Sequence, residues 1–451
     1  MTPQLLTILV LAAMFVIATV FPINIGALAF VAAFLVGALA LSMAPADILG
    51  GFPADLFLTL VGVTYLFAIA KNNGTVDLMV RASTRLVGGR VVAIPWVMFG
   101  ITALLTAVGA LSPAAVAIVA PIALGFAAKY RIDPLMMGMM VIHGAQGGGF
   151  SPASVYGVTV NTIVADNGLA VHPVTLFLGS LVFNLAIAFV LFIALGGHRL
   201  VGIRVEQFEK EAATVGGGSG GRSGGKGGGT AVAAGGSGSG ADADAAESAP
   251  APAIRFEQIA TLLGILALGV LALGFGLNVG FVAMTVTVVL ALISPKAQKN
   301  AISQISWPTV LLITGMLTFV GVMESAGTIE YVGLAAAGLG AALLVALLLC
   351  YIGGVVSAFA SSTAILGATI PLAVPFLLMG EVSATGVIVA LAVSSTIVDV
   401  SPFSTNGALV LANATGVEPE RFYRRILVYS AIVVVLGPLV AWGVLVAPGL
   451  L

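Results

Sequence analysis

The segment GGFSPASVYG at residues 148–157 recurs as VDVSPFSTNG at residues 398–407, and this recurrence indicates how the chain is organised. Two further matches precede it in each copy, because FPINIG at 21–26 recurs as FGLNVG at 275–280 and NNGT at 72–75 recurs as SAGT at 325–328. All the matches keep the same order at offsets of 250 to 254 residues. The chain is therefore predicted to contain a duplicated unit.

The composition places both copies in a bilayer. Hydrophobic residues make up 60% of the 451 residues and charged residues 8%, and the mean hydropathy is +1.17. These values exclude a soluble domain and indicate a polytopic membrane protein. The first apolar run has no basic residue and no cleavage pattern, so we interpret it as a permanent span. The single Cys350 excludes an internal disulfide and a cysteine-based metal cluster.

Three regions follow from the change in composition along the chain. Residues 1–205 form transmembrane repeat 1, residues 206–253 form a linker rich in Gly, Ser and Ala, and residues 254–451 form transmembrane repeat 2. The linker cannot bury a core, so it is predicted to be a disordered tether. A spacer is the preferred interpretation, with regulatory docking as the alternative.

Each repeat is predicted to be all-α, with five crossings, one re-entrant helical hairpin and a broken helix. The predicted crossings are 4–20, 25–43, 54–70, 134–165 and 174–196, then 256–274, 279–294, 307–323, 384–418 and 423–447. The hairpins are predicted at 91–128 and 333–379. Five crossings is an odd number, so the two repeats must have inverted topology.

The charged residues give the predicted orientation. With these crossings all 17 Lys and Arg residues fall on one side. The loops on the opposite side contain no Lys or Arg, and their charged residues are all acidic: Asp47, Asp55, Asp166, Glu324, Glu330 and Glu381. By the positive-inside rule the linker is cytoplasmic and both termini are outside. The amphipathic stretch 76–90 is predicted to lie along the cytoplasmic interface.

The fourth crossing of each repeat contains Gly and Pro in mid-membrane. Gly and Pro there leave backbone N–H and C=O groups without hydrogen-bond partners. Such groups are tolerated only where they are buried in protein or line a water-filled cavity. Each hairpin also has a small polar tip, in LSPAA at 111–115 and ASSTA at 360–364. Unwound segments at matching positions of two repeats are typical of a transporter binding site. Two ordinary proline kinks are the alternative.

These features resemble the dicarboxylate carrier family of the MatC type, within the ion transporter superfamily that includes divalent anion/sodium symporters. The resemblance covers both repeats and excludes the tether. Those symporters carry Ser-Asn-Thr at each hairpin tip. Here Ser361, Ser362 and Thr363 keep a Ser-x-Thr form, whereas the first tip keeps only Ser112. The resemblance implies malonate or a similar dicarboxylate as substrate, and relatives of this kind are often homodimers.

Candidate site residues follow from the broken helices, the tips and this resemblance. Substrate binding is predicted for Ser112, Gly149, Ser151, Ser154, Ser362, Thr363, Ser404, Thr405 and Asn406. Cation coupling is predicted for Gly148, Ser361, Asp399 and Ser401. Because no Lys or Arg lies within a predicted span, helix dipoles, hydroxyls and a co-bound sodium ion or proton would have to neutralise a dianion. No other cofactor is expected.

Three polar residues have open alternatives. Asp399 is an intramembrane acid, which suggests a cation ligand or proton carrier, although a structural capping acid is equally consistent. His143 could titrate, but a hydrogen-bonded packing histidine is preferred. Gln146 either donates to a carboxylate or satisfies unwound backbone. Asn24 and Asn278 are predicted to be helix caps.

The predicted function is cation-coupled secondary transport of small dicarboxylates across a bacterial-type inner membrane by alternating access. The same architecture could instead serve arsenite, citrate with metal, or sodium/proton antiport, and a passive channel is also consistent with the sequence. An intramembrane enzyme is disfavoured, because no nucleophile with a base, paired carboxylates or HExxH pattern is present. Neither an ATP-binding motif nor a nucleic-acid-binding feature occurs.

Overall fold

The computed structural model describes residues 2–21, 23–85, 88–204, 254–337, 342–358, 362–414 and 417–449. This part of the chain is helical throughout. The helices of the first half are α1 Pro3–Val20, α2 Ile25–Phe34, α3 Pro45–Gly50, α4 Ala54–Asn72, α5 Thr75–Arg85, α6 Ile94–Ala107, α7 Ser112–Lys129, α8 Pro134–Gly148, α9 Val155–Asp166 and α10 Pro173–Ala194. A π-helical stretch, Leu35–Ala40, continues α2.

The second half repeats this order. Its helices are α11 Phe256–Gly269, α12 Val279–Ile293, α13 Pro295–Gln298, α14 Trp307–Ser325, α15 Thr328–Ala337, α16 Ala342–Ser357, α17 Ser362–Leu378, α18 Ala384–Ile397, α19 Thr405–Ala412 and α20 Pro419–Leu445. A π-helical stretch, Val270–Gly274, follows α11, and a 3-10 turn, Val398–Val400, follows α18. The predicted linker lies outside the described residues.

Membrane crossing is supported by the lengths and composition of the helices. Within the described ranges, six helical segments, counting α18 and α19 as one, are long and apolar enough to span a bilayer, and seven more apolar helices are shorter. The all-helical polytopic prediction is therefore confirmed. The inverted orientation of the halves, the outward termini and the inner-membrane location stay predictions.

Two boundaries differ from the sequence prediction. The second hairpin was predicted from residue 333, but 333–337 belongs to the separate helix α15, which corresponds to α5 of the first half. The broken crossing was predicted to reach residue 418, yet α19 ends at Ala412 and α20 already begins at Pro419. Apolar residues continue across the first boundary, so hydropathy alone could not mark it, whereas the second boundary is marked by the polar stretch NATGVE at 413–418.

The two halves are held together by exchanged helix pairs, since α2 packs against α14 and α4 packs against α12. Both crossings depend on glycine. A Cβ added to Gly315 would lie 2.1 Å from the carbonyl oxygen of Gly26, and one added to Gly280 would lie 2.9 Å from the backbone nitrogen of Thr59. In lipid, close backbone approach is a main source of helix association, because burial from water contributes little there. These crossings therefore fix one half on the other.

Hydrogen bonds also join the first helix of each half to the other half. The hydroxyls of Thr7 on α1 and Thr328 on α15 lie 2.7 Å apart. At the matching place Asn73, just before α5, donates from Nδ2 to the hydroxyl of Thr261 on α11, also across 2.7 Å. All four residues are buried. The repeated NNGT and SAGT segments thus mark where each half receives the first helix of the other.

The remaining helices surround the two broken helices. The first hairpin, α6 and α7, and helix α10 pack around α8, and the second hairpin, α16 and α17, packs with α20 around α18. Of the six long apolar segments in the described ranges, the second broken helix is the most buried. The protein covers 94% of its apolar stretch, compared with 28% for α20. Helix α6 has 14 residues, which gives roughly 21 Å of a hydrocarbon core about 30 Å thick. A half-depth hairpin stays a prediction.

Candidate functional site

Each broken helix stops and restarts around a serine cap. Ser154 begins α9, donating from Oγ to the carbonyls of Gly149 and Ser151 and accepting the N–H of Gly157. Helix starts leave N–H groups unpaired, and serine is a preferred residue to satisfy them. The break is therefore an ordered turn.

The second turn has the same geometry 250 residues later. Ser404 Oγ donates to the carbonyls of Asp399 and Ser401 across 2.5 and 2.7 Å and accepts the N–H of Gly407 across 3.2 Å. A Cβ added to Gly407 would lie 1.9 Å from the Ser401 carbonyl oxygen, so the turn requires glycine here. The hydroxyls of Ser154 and Ser404 are used by the turns themselves, and their predicted contact with substrate is not tested by this geometry.

The first hairpin tip contacts both broken helices. Ser112 starts α7 and accepts a hydrogen bond from Asn406 Nδ2 across 2.8 Å. Ser151 Oγ donates to the carbonyl of Ala107, at the end of α6, across 2.8 Å. The Oδ1 atom of Asn406 is buried and has no hydrogen-bond partner among the described residues. A buried carbonyl of this kind is suited to a ligand hydroxyl or a cation.

The second tip places a carboxylate beside the start of α17. Ser362 Oγ donates to Oδ1 of Asp399 across 2.7 Å and itself lies 2.9 Å from Ser357 Oγ, which donates to it. Asp399 lies in the 3-10 turn and is buried. The helix that begins here, α17, packs against α9 of the first broken helix. Two serine hydroxyls of the second hairpin thus form a chain of hydrogen bonds to one acid.

Four helix starts meet in this region. Helices α7 and α19 begin beside the Ser112–Asn406 contact, and helices α9 and α17 pack against each other. Each helix start carries roughly half a positive charge. The described residues of the tips and turns include no Lys or Arg. Backbone dipoles are therefore the positive groups available to an anion.

The other predicted residues have varied positions. A Cβ added to Gly148 would lie 1.9 Å from the carbonyl oxygen of Ala103 on α6, so helix packing explains this glycine. Ser401 Oγ accepts the N–H of Phe403 across 3.2 Å, and Thr405 is exposed. Ser361 lies outside the described residues. Among the residues that the structure describes there is no cluster of three metal-ligating His, Cys, Asp or Glu residues.

Two polar residues at the site were missed from the sequence. Tyr156 occupies the position that corresponds to Asn406 at the 250-residue offset, so aligning the repeats would have revealed it. Ser357 ends α16 and also donates to the carbonyl of Ser395. It stands five residues before Ser362, in an apolar stretch with no repeated motif that would mark it.

His143 lies on α8 in a separate polar contact. Its Nδ1 is 2.9 Å from Asn184 Oδ1 on α10, and its Nε2 is 2.6 Å from the Tyr429 hydroxyl on α20. The preferred interpretation as a hydrogen-bonded packing histidine is confirmed. Gln146 is fully buried, and both its side-chain polar atoms lack partners in the described part of the chain. Its alternatives stay open.

Family similarity agrees with this architecture. Residues 1–149 match the family model of the dicarboxylate carrier protein MatC N-terminus. Residues 270–450 match the citrate transporter family model. No curated protein matches the chain at a significant level. Both families are transporters, so the chain is a transporter and not an enzyme. The two matches make the chain similar to MatC-type carriers and citrate transporters of the ion transporter superfamily, and they identify it as a secondary transporter of carboxylates.

Proposed function

We propose that the protein carries a small dicarboxylate, malonate or a C4 dicarboxylate, together with a sodium ion or a proton, by alternating access. The observation that carries this proposal is the meeting of each hairpin tip with the broken helix of the other half. Ser112 bonds to Asn406, and α17 of the second hairpin packs against α9 of the first broken helix. At an offset of 250 residues, Ser112 corresponds to Ser362 at the start of α17, and Asn406 corresponds to Tyr156 on α9. One ligand site between the halves would use all four elements.

The four helix starts support a dianionic ligand. At roughly +0.5 each, their summed charge is about +2, which matches two carboxylates. Backbone N–H groups at helix starts bind carboxylate oxygens directly. The hydroxyl of Ser112 and the amide of Asn406 would add side-chain contacts.

Asp399 supports coupling to a cation. Its carboxylate stands beside the start of α17, where it would repel an incoming dianion. A bound sodium ion or proton removes that repulsion, so cation and substrate would bind together. For sodium, Asp399, Ser362 and the turn carbonyls supply oxygen ligands; for a proton, Asp399 supplies the titrating group.

Alternating access would move the hairpins, broken helices, α10 and α20 as one body. The other body comprises α1, α2, α4, α11, α12 and α14, which the exchanged glycine crossings join. Motion of one such body against the other would open the site to each side in turn. A homodimer, the bacterial inner membrane and a cytoplasmic linker belong to the same proposal.

Uptake of radiolabelled malonate into proteoliposomes, with sodium and proton gradients imposed separately, tests this function. Wild-type protein should accumulate malonate under one gradient, and Asp399→Asn and Ser362→Ala should lose that accumulation. Ser325→Ala, an exposed hydroxyl on α14, is the matched control and should behave as wild type. Absence of uptake under both gradients, in protein that elutes as a folded species, would contradict the assignment of malonate as a substrate.

Citrate is the second candidate cargo, because residues 270–450 match the citrate transporter model. The same vesicles should be assayed with labelled citrate, with and without a divalent metal ion. Citrate uptake that exceeds malonate uptake would replace the dicarboxylate assignment while retaining the site.

A further inference from the structure

Gln146 is a buried amide near the end of α8, just before the first broken turn. Its side chain is fully buried, and neither Oε1 nor Nε2 forms a hydrogen bond with any residue that the structure describes. The N–H of Gly149 donates to the main-chain carbonyl of Gln146 across 3.1 Å, so backbone closes this helix end without the amide. An unpaired buried amide costs free energy that a bound ligand can recover. The side chain is therefore available to a ligand.

The amide faces the second half of the protein. At about 100° per residue, Gln146 lies roughly 80° around α8 from Gly138 and about 60° from His143, between the two. A Cβ added to Gly138 would meet the side chain of Val410 on α19. His143 bonds the hydroxyl of Tyr429 on α20. Gln146 thus lies between the directions of α19 and α20.

A second buried amide, Asn406, lies on the facing side of α19. It precedes Val410 by four residues, a spacing that places both on one side of the helix. Gln146 and Asn406 both lie on the side of the Gly138–Val410 contact where the two helices break. Asn406 Oδ1 also lacks a partner among the described residues. Amides from different halves therefore flank the space between the broken helices.

The chemistry of an amide restricts the ligand that it can bind, because a donor and an acceptor stand side by side. A plain carboxylate accepts from Nε2 of Gln146 but has no hydrogen to donate to Oε1. A metal cation would satisfy Oε1 and leave Nε2 unpaired. A carboxylate with a hydroxyl on the neighbouring carbon satisfies both atoms, since its O–H donates to Oε1 while its carboxylate accepts from Nε2. The hydroxy acid is thus the ligand that leaves neither atom unpaired.

The matching residue of the second half lacks this chemistry. At an offset of 250 residues Gln146 corresponds to Thr396 on α18. The Thr396 hydroxyl donates to the carbonyl of Ala392 across 3.0 Å, as a threonine in an apolar helix ordinarily does. The duplicated site is therefore asymmetric, and the amide subsite belongs to the first half.

We propose that Gln146 binds a hydroxyl group and the adjacent carboxylate of the substrate, so that the carried acid is a 2-hydroxy dicarboxylate. This inference rests on the proposed transport function and narrows its substrate class. A site that hydrogen-bonds a substrate hydroxyl discriminates against the analogue that lacks it, because the polar atoms of the site are then left unpaired.

Ligand-dependent melting of the detergent-purified full chain measures this preference without requiring transport. The probes are two pairs of acids that differ by one hydroxyl: malate with succinate, and hydroxymalonate with malonate. Wild-type protein should bind each hydroxy acid about tenfold more tightly than its analogue, the effect of one unpaired buried group. Gln146→Met, which removes both polar atoms, should bind the two members of each pair about equally. Thr396→Val is the matched control and should keep the wild-type preference.

Melting without ligand tests whether the amide has a structural role instead. Because Gln146→Met removes a buried polar group that has no partner in the described part of the chain, the variant should melt at an equal or higher temperature than wild type. A lower melting temperature would show that the amide stabilises the fold, for example through an ordered water, and would contradict the proposal.

The binding data separate this inference from the function on which it rests. Equal binding of hydroxy acid and analogue by wild type, or a preference that persists in Gln146→Met, would contradict the hydroxyl subsite and leave dicarboxylate transport standing. Binding of neither member of either pair would contradict the dicarboxylate function itself, and the hydroxyl subsite with it.

Discussion

Asn406 donates a hydrogen bond to Ser112 across 2.8 Å, although the two residues belong to different halves of the chain. Both side chains are buried. This contact joins a hairpin tip to the broken helix of the other half, at the starts of α7 and α19. It therefore provides a direct measure of how strongly the two halves cooperate at the site.

A double-mutant cycle should detect this cooperation. Ser112→Ala and Asn406→Ala each leave a buried partner unpaired, so each should lower the free energy of unfolding in micelles by about 1–3 kcal/mol. The double variant should lose less than the sum, by about 0.5–1.5 kcal/mol. Asn413→Ala removes a bond within its own helix end and should be additive with Ser112→Ala. Additivity of the Ser112 and Asn406 changes would contradict the contact.

Asp399→Asn should separate coupling from substrate binding. The amide resembles the neutral state of the acid, so the variant should still exchange labelled for unlabelled substrate without a gradient. Accumulation against a substrate gradient should be lost, because no charge remains to bind the cation. The check is counterflow and driven uptake in the same vesicles. Loss of both activities, in folded protein, would show that Asp399 is needed for more than coupling.

Gly315→Ala should destabilise the crossing of α2 and α14. Its Cβ would enter the space of the Gly26 carbonyl, and backbone must shift to admit it. The expected cost is about 1–3 kcal/mol in the free energy of unfolding. Gly100→Ala on α6 has open space around the new Cβ and should cost nothing. Equal stability of the two variants would contradict the conclusion that the crossing of α2 and α14 holds the two halves together.

The His143 contact has a defined hydrogen-bond direction. Asn184 Nδ2 donates to the Ser180 carbonyl across 3.0 Å, so its Oδ1 accepts from His143 Nδ1 and the Tyr429 hydroxyl donates to Nε2. His143→Leu should therefore leave two groups unpaired and cost more than Tyr429→Phe, which leaves one, with each unpaired group worth about 1–3 kcal/mol. Melting temperatures of the purified variants measure this. The reverse order would refute the assigned direction.

Asp166, at the end of α9, should make stability depend on pH. Burial, and then the negative charge of Asp55, raise the pKa of Asp166 above its ordinary value of 3.8. The folded state thus disfavours the ionised carboxylate. The stability that protonated Asp166 contributes is therefore fully present below pH 3.8 and is lost as pH rises through the raised pKa. Asp166→Asn should melt higher than wild type at pH 7, and the gain should vanish near pH 4. A gain of the same size at both pH values would exclude this cause.

Local signals in the sequence predicted the local structure. Asn24 Oδ1 accepts the N–H of Gly26 across 2.9 Å and Asn278 Oδ1 accepts the N–H of Phe281 across 3.1 Å, so both predicted caps are confirmed. The breaks around Ser154 and Ser404 were also predicted, because Pro and Gly interrupt a helix wherever they stand. Each of these features depends on residues within a few positions.

Partners across the chain could not be predicted in the same way. Nothing in the sequence assigns Asn406 to Ser112, since many buried hydroxyls offer the same chemistry. The pairing of Thr7 with Thr328 was missed because a lone threonine in an apolar helix ordinarily bonds its own backbone. The left-handed Arg131 was missed because its turn is usually marked by glycine. These features depend on the helix arrangement.

The exchanged crossing of α2 and α14 also constrains biogenesis. Gly26 is synthesised about 290 residues before its partner Gly315, and at a ribosome speed of about 5–20 residues per second the interval is roughly 15–60 s. During that time the surface of α2 around Gly26, against which α14 packs in the complete protein, faces lipid. The nascent first half is thus an incomplete molecule in the bilayer, exposed to membrane proteases and to pairing with another nascent chain until α14 is inserted.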